Sequence, residues 1–340
     1  MANVKGQHQY GMAVKPHNDL TSILSFFLRY EDACKKTRSP RTPAWNYSTP
    51  EFHNLVSRQP PLTAKDAMGI DELAVKRCQS LLSVSDSYVQ IHDFLETLSG
   101  RYSIDNTYFL ITSDHGYNLG HHRLPSNKFL IYEHDLAIPM VFKGPGIAAN
   151  STFDFQGTQV DLAPTILGLA GIDKPSSMDG KSVVPLLVKP AATAATMTTA
   201  TASGAFETSD ASDASASAMI PGSVRRHLAS VAAVPSRTTS FFEYYSQGQW
   251  FTQGRMLDDW SNTYIGVTYR NGSDWYKFGA FDPYGKQSNF TSVYFEEMFD
   301  LNADPWELSN VVNDTKLAGL RAKLHAETMR WYACSGDDCM

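Results

Sequence analysis

The chain has 340 residues, 42% hydrophobic and 19% charged, with a net charge of −6 and a pI of about 5.9. That make-up suits a globular chain with one large domain, or a large domain and a smaller one. It argues against a polyanion partner, and no apolar run is long enough to span a bilayer, so neither nucleic-acid binding nor a membrane span is expected.

The opening residues, MANVKGQHQYGMAVKPHND, lack the apolar core of a signal peptide. Within them, YGMAV before Pro16-His17 is expected to be a short strand. Residues 30–70, rich in Pro, Asn, Ser and Arg, form an expected irregular excursion. Residues 72–99 place Val75, Cys78, Leu81, Leu82, Val89, Phe94 and Leu98 at helical spacing, with Gly100 as a stop. Cys78 on that stripe is expected to be a buried core cysteine. TYFLITSD is a strand. LAIPMVFKGPGI is a second, closed by Gly144-Pro145-Gly146. QVDLAPTILGLAGI is a helix with Asp161 as cap and Pro164 in its first turn. This alternation predicts an α/β fold with a mainly parallel sheet covered on both faces.

Residues 189–222 are dominated by Ala, Thr and Ser. So few large apolar groups cannot offset the entropy of ordering, so a disordered insertion is expected there. Beyond it, SFFEYY, TYIGVTYR, WYKFGAF and SVYFEEMFDL are short, aromatic and β-branched, and turn signals separate them. They predict a small antiparallel sheet. A helix over about 314–332 closes the chain, with Leu317, Leu320 and Leu324 on one side.

Five N-x-[ST] sequons, at Asn46, Asn150, Asn271, Asn289 and Asn313, point to a secretory history. The four cysteines include Cys334 and Cys339 in CSGDDC, a short loop that a disulfide closes easily. Both features favour a secreted or lysosome-like compartment.

In open α/β sheets, ligands gather beyond the carboxyl ends of strands. The stretch TSDHGYNLGHHRLPSNK puts Asp114 and His115 at such an end, with Lys128 one loop later. A carboxylate beside an imidazole is half a metal site, and a lysine is a point charge for a tetrahedral oxyanion. An Asp-His pair that merely caps a loop has the same sequence. His121 and His122 are expected to be exposed loop histidines.

TSDHGYNLGHHRLPSNKFLIYEHDLAIPMVFKGPGI resembles the C-terminal half of the catalytic domain of the sulfatase family, in its arylsulfatase and N-acetylglucosamine-6-sulfatase branches. PRTPAWN and RCQSLLSVSDSYVQIHDFLE precede it in matching order. VDLAPTILGLAGI, MDGKSVVPLL, NTYIGVTYR, MFDLNADPWELSNVV and CSGDDC follow. The resemblance spans nearly the whole chain apart from the Ala/Thr/Ser stretch. It implies an alkaline-phosphatase-like α/β/α sandwich plus a small C-terminal antiparallel sheet with a terminal helix. The implied domains are 1–188, the C-terminal half of the catalytic domain; 189–222, the insertion; and 223–340, the C-terminal subdomain.

The resemblance further implies hydrolysis of a small-molecule or sugar sulfate ester, assisted by calcium (Ca2+) and carried by a formylglycine nucleophile. Asp114 and His115 match the family's calcium-site positions. Lys128 matches a sulfate-binding lysine. His17, in KPHND, matches a histidine at the sulfate or the leaving oxygen. The family's first Asp-Asp pair, its C/S-x-P/A-x-R motif and its Lys-x-His pair have no match here. The segment CKKTR, Cys34 to Arg38, lacks the Pro or Ala and lies on the wrong side of the histidine. The chain is therefore expected to begin inside the catalytic domain, with an incomplete calcium site and no activity on its own. A metal-dependent phosphodiesterase or phosphatase of the same superfamily, and a non-catalytic secreted glycoprotein that keeps the fold, are the alternatives. The natural substrate and the oligomeric state are left open.

Overall fold

The computed structural model of the chain describes residues 29–153, 155–188, 237–252, 254–282, 290 and 292–339. The YGMAV strand, His17, the 189–222 stretch and Asn289 lie outside the described residues.

A short helix, α1 (Asn54–Ser57), precedes the long α2 (Ala64–Glu96). Helix α2 starts earlier than its apolar spacing predicts because Thr63 and Asp66 close a reciprocal cap. The Asp66 carboxylate accepts from the Thr63 amide at 2.7 Å, and the Thr63 hydroxyl accepts from the Asp66 amide at 3.2 Å. Part of the expected irregular excursion is therefore helical. Ile70 and Ala74 are buried on α2, and Tyr88 packs edge-on against Phe109, with ring centroids 5.4 Å apart. Part of the apolar stripe faces outward: Leu81, Val89 and Phe94 are exposed, while Val75, Leu82 and Leu98 are half-buried. Apolar spacing identifies a face, but not whether anything covers it. Cys78 is not a free core thiol; it forms a disulfide with Cys34, 44 residues earlier. Cys334 and Cys339 are also joined, which leaves no free cysteine.

Strands β1 (Phe109–Thr112) and β2 (Met140–Lys143) pair antiparallel, with Phe109 opposite Lys143 and Thr112 opposite Met140. The expectation of a mainly parallel sheet is corrected here, since every strand pair among the described residues is antiparallel. The connection from β1 to β2 holds only one short helix, α3 (Glu133–Leu136), which is not a crossover helix. The 3₁₀ turn Gln159–Asp161 then leads into α4 (Leu162–Leu169), and α5 (Val184–Leu187) follows.

The C-terminal part is the antiparallel sheet that its aromatic segments predict. Strands β3 (Thr239–Tyr244), β6 (Tyr264–Asn271), β7 (Asp274–Phe281) and β8 (Phe295–Asp300) lie in that order. A hairpin of β4 (Trp250–Thr252) and β5 (Arg255–Asp258) stands beside it. Side chains alternate across the sheet. Ile265, Val267, Phe278 and Met298 bury one face against Leu324 of the closing helix α6 (Ala318–Ala333). Tyr264, Phe281 and Phe299 bury the other face against Phe52, Leu55 and Val56 of the α1 region and against Leu124, Leu130, Ile131 and Tyr132. The loop that carries Lys128 is thus anchored on both sides of the lysine, at Leu124 and Leu130, by a core shared with the C-terminal sheet. The fold class is α/β of the alkaline-phosphatase-like kind, with an added antiparallel sheet and terminal helix.

Candidate functional site at the end of β1

Strand β1 ends at Thr112 and delivers Ser113, Asp114, His115 and Gly116 into a tight turn. The turn is fastened to the chain around α3: Gly116 N donates to Asp135 O at 2.7 Å, and Tyr117 N donates to His134 O at 3.0 Å. A Cβ at Gly116 would sit 2.0 Å from the His134 carbonyl oxygen, so this approach admits only glycine.

Asp114, His115 and Lys128 converge. Lys128 Nζ lies 2.6 Å from His115 Nε2, and Asp114 Oδ2 lies 3.1 Å from the same nitrogen. His115 Nδ1 faces the Gly116 carbonyl at 2.5 Å, and since a carbonyl oxygen only accepts, Nδ1 is the donor there. Asp114 is exposed, and its Oδ1 accepts the His115 amide at 3.0 Å. Partial desolvation opposes ionisation of Asp114. The charges of His115 and Lys128, together with the His115 amide, outweigh it and hold the carboxyl below the usual range. A cleft of about 1530 Å³ has Asp114 and His115 on its wall, with the Gly144–Asp161 segment and β3 on others. The corner thus offers an ammonium, an imidazole and a carboxylate beside open space. That set can bind an oxyanion through the lysine while the aspartate offsets its charge.

The residues present do not fit calcium, which takes six to eight oxygen ligands. Among the described residues no third acid or imidazole ligand groups with Asp114 and His115 closely enough to share an ion, and the His115 nitrogen that faces Asp114 is already approached by an ammonium. His92, Asp93 and Glu96 on α2 are the one group of three acid or imidazole ligands close enough together to share an ion among the described residues. There Lys143 Nζ stands 2.9 Å from His92 Nε2.

The expectation of exposed histidines at 121 and 122 is overturned. Both are buried, and His122 is wholly enclosed. The His122 ring stacks on Tyr132 at 3.9 Å and meets Phe52 edge-on at 5.2 Å, so it is packed into the shared core. Two adjacent polar residues in a loop carry no periodic signal of burial, which is why the sequence misplaces them. Sequence reasoning also missed the buried titratable groups near the corner. Lys277 is fully buried between Glu133 (2.7 Å) and Glu307 (2.6 Å). His53 Nδ1 meets Glu297 at 3.0 Å. Asp135 is pushed up to about 8 by burial. Each of these depends on contacts across the fold that no local pattern announces.

Residues 42–172 match the family model for sulfatases. The chain is 28% identical over 328 residues to bovine N-acetylglucosamine-6-sulfatase, covering 95% of this chain and 51% of that protein. It is 37% identical over 150 residues to a putative extracellular sulfatase Sulf-1 homolog of Caenorhabditis elegans, covering 44% of this chain and 21% of that protein. The chain therefore spans about half the length of the curated N-acetylglucosamine-6-sulfatase it matches. Among solved structures it resembles BT4656, determined in complex with its substrate D-glucosamine-2-N,6-O-disulfate. The TM-score is 0.53 at 21% identity, covering 77% of this chain and 41% of that one, a likeness of fold. The strand-end turn, its lysine loop and helix α4 all fall within residues 42–172, the segment that matches the sulfatase family model.

Proposed function

We propose that the Asp114–His115–Lys128 corner binds the sulfate group of a sulfate ester, and that the chain's role is in sulfuric-ester hydrolysis. The observation that carries this is the Lys128 ammonium, held 2.6 Å from His115 at the end of β1, within the segment that matches the sulfatase family model. The tetrahedral sulfate-ester monoanion bound there receives charge-assisted hydrogen bonds from Lys128. The Asp114 carboxylate, kept ionised by its neighbours, orients the imidazole. His17 is proposed as the proton donor to the departing alkoxide on sequence grounds. Relatives and neighbours with sulfated-sugar names favour a sugar sulfate as substrate. The sequons and the two disulfides favour a secreted glycoprotein.

The chain described here is proposed to bind sulfate without turning over an ester. All four cysteines are paired, so none offers a thiol for conversion to formylglycine. Among the described residues Asp114 and His115 have no further ligand close enough to complete a calcium site. The test is calorimetric titration of the full chain with sulfate at low ionic strength, beside p-nitrophenyl sulfate turnover after coexpression with a formylglycine-generating enzyme and with calcium present. We expect sulfate binding that weakens at least tenfold in Lys128→Met, and no turnover above background. Sulfate affinity equal in wild type and Lys128→Met overturns the site. Turnover that vanishes in Asp114→Ala overturns the claim that the chain lacks a nucleophile.

A further inference from the structure

In a regular strand, neighbouring side chains point to opposite faces and successive carbonyls to opposite edges. Asp114 and His115 break both rules. Their side chains touch, and the carbonyls of Ser113 and Asp114 converge on a single atom, Nε2 of Gln159, at 3.0 and 2.6 Å. One amide nitrogen with two hydrogens satisfies both carbonyls. It thereby holds the turn that puts a carboxylate and an imidazole on the same side.

Gln159 is itself exposed, yet the 3₁₀ turn that carries it is firmly fixed. Asp161, two residues on, accepts the amides of Thr158 at 2.9 Å and Lys181 at 2.8 Å. It also takes a bidentate ion pair from Arg237 at 2.6 and 3.0 Å, and both side chains are buried. Arg237 lies just ahead of β3, so the turn is clamped to the C-terminal sheet. A fixed base with an exposed arm reaching two carbonyls is the form of a positioning group.

We propose that Gln159 is a positioning residue: it sets the backbone turn after β1 that brings Asp114 and His115 together beside Lys128. The geometric claim stands on the hydrogen bonds; its consequence for ligand binding rests on the oxyanion reading of the corner. The test uses the full chain with Gln159→Met, which keeps reach and volume but has no donor, and Gln159→Glu, which turns acceptors towards the two carbonyls. Three quantities are read: amide hydrogen exchange over residues 113–116, the ring signals of His115 in side-chain nitrogen NMR spectra, and sulfate affinity by calorimetry. Both variants should keep the wild-type thermal midpoint, because the side chain is exposed. Exchange over 113–116 should rise about tenfold, while β6 and β7 stay unchanged, and the His115 ring signals should move. Sulfate should bind about tenfold more weakly, with Glu worse than Met.

Unchanged exchange and unmoved His115 signals in Gln159→Met overturn the proposal. Altered exchange in a chain whose wild type does not bind sulfate leaves Gln159 as the positioning group and removes the oxyanion reading instead. Altered exchange with full sulfate affinity shows that the turn does not serve binding, and that also overturns the proposal.

Discussion

Replacing His122 with phenylalanine should flatten the acid side of the stability profile. His122 is fully buried, and neither ring nitrogen has a hydrogen-bond partner. Burial, then the charges of His121, His53 and Lys277, hold its protonation well below the ordinary histidine range. His121 is lowered to about 4 by burial and by Arg41, and His134 is lowered by burial and the two neighbouring histidines. A depressed folded-state value means that stability is intact above about 6.5, the unfolded value, and is lost as pH falls below it, because only the unfolded chain takes up the proton. At pH 5 the unfolded state gains a factor of about 30 per histidine, or about 2 kcal/mol. His122→Phe removes one such group and keeps the stacking on Tyr132. The backbone at 122 is left-handed, with φ of 49°. This costs phenylalanine about 1 kcal/mol at every pH and cancels in the difference. Guanidinium unfolding at pH 7.5 and pH 5.0 should show wild type losing about 2 kcal/mol more than the variant between the two. Equal losses would mean that His122 is protonated in the folded chain, and the account of the buried stack would fail.

Lys277→Met should cost about 3–5 kcal/mol at neutral pH, because it leaves Glu133 and Glu307 without their shared cation. The cost should shrink at pH 5.5, where Glu307, already pushed up to about 7 by burial, takes a proton; a loss below about 1 kcal/mol at pH 7.5 would contradict this. Expressed through a eukaryotic secretory pathway, the chain should carry glycan at Asn150, Asn271 and Asn313, all exposed. Peptide mass mapping after glycosidase treatment that finds all three unmodified would refute the secretory assignment.

Elements whose signal is local were legible in advance. The β-branched run before Ser113, the strand before Gly144, the aromatic segments of β3, β6, β7 and β8 and the leucines of α6 each announce themselves within a few residues. The juxtaposition of Asp114, His115 and Lys128 was legible too, because one strand end and one loop carry all three. The rest depends on partners far along the chain. Pairing of β1 with β2 in antiparallel sense is set by how the intervening loop folds back, and strand composition does not record direction. Burial of His122 requires Tyr132 and Phe52; burial of Lys277 requires Glu133 and Glu307. The Gln159 amide meets its carbonyls 45 and 46 residues away, and an exposed glutamine ahead of a helix has no distinguishing context. The outward stripe of α2 shows the same limit, for periodicity names a face and is silent on its cover.

The loop closed by Cys334 and Cys339 reaches back to the turn after α4. Gly336 N donates to Asp179 at 2.5 Å, Asp337 N donates to Ser176 O at 3.1 Å, and Lys174 pairs with Asp337 at 2.6 Å. At Gly336 a Cβ would meet the Ser176 carbonyl oxygen at 2.4 Å. The two halves of this clasp are separated by 157 residues between Asp179 and Gly336. During synthesis, the segment holding Gln159 and α4 therefore leaves the ribosome long before its clasp exists. At a few residues to tens of residues per second, that interval is on the order of ten seconds or more. Over that time the Gln159 turn can rely on its bonds to Ser113 and Asp114 and, once Arg237 has emerged, on the Asp161 ion pair, and the contacts of the Cys334–Cys339 loop with residues 174–179 come last.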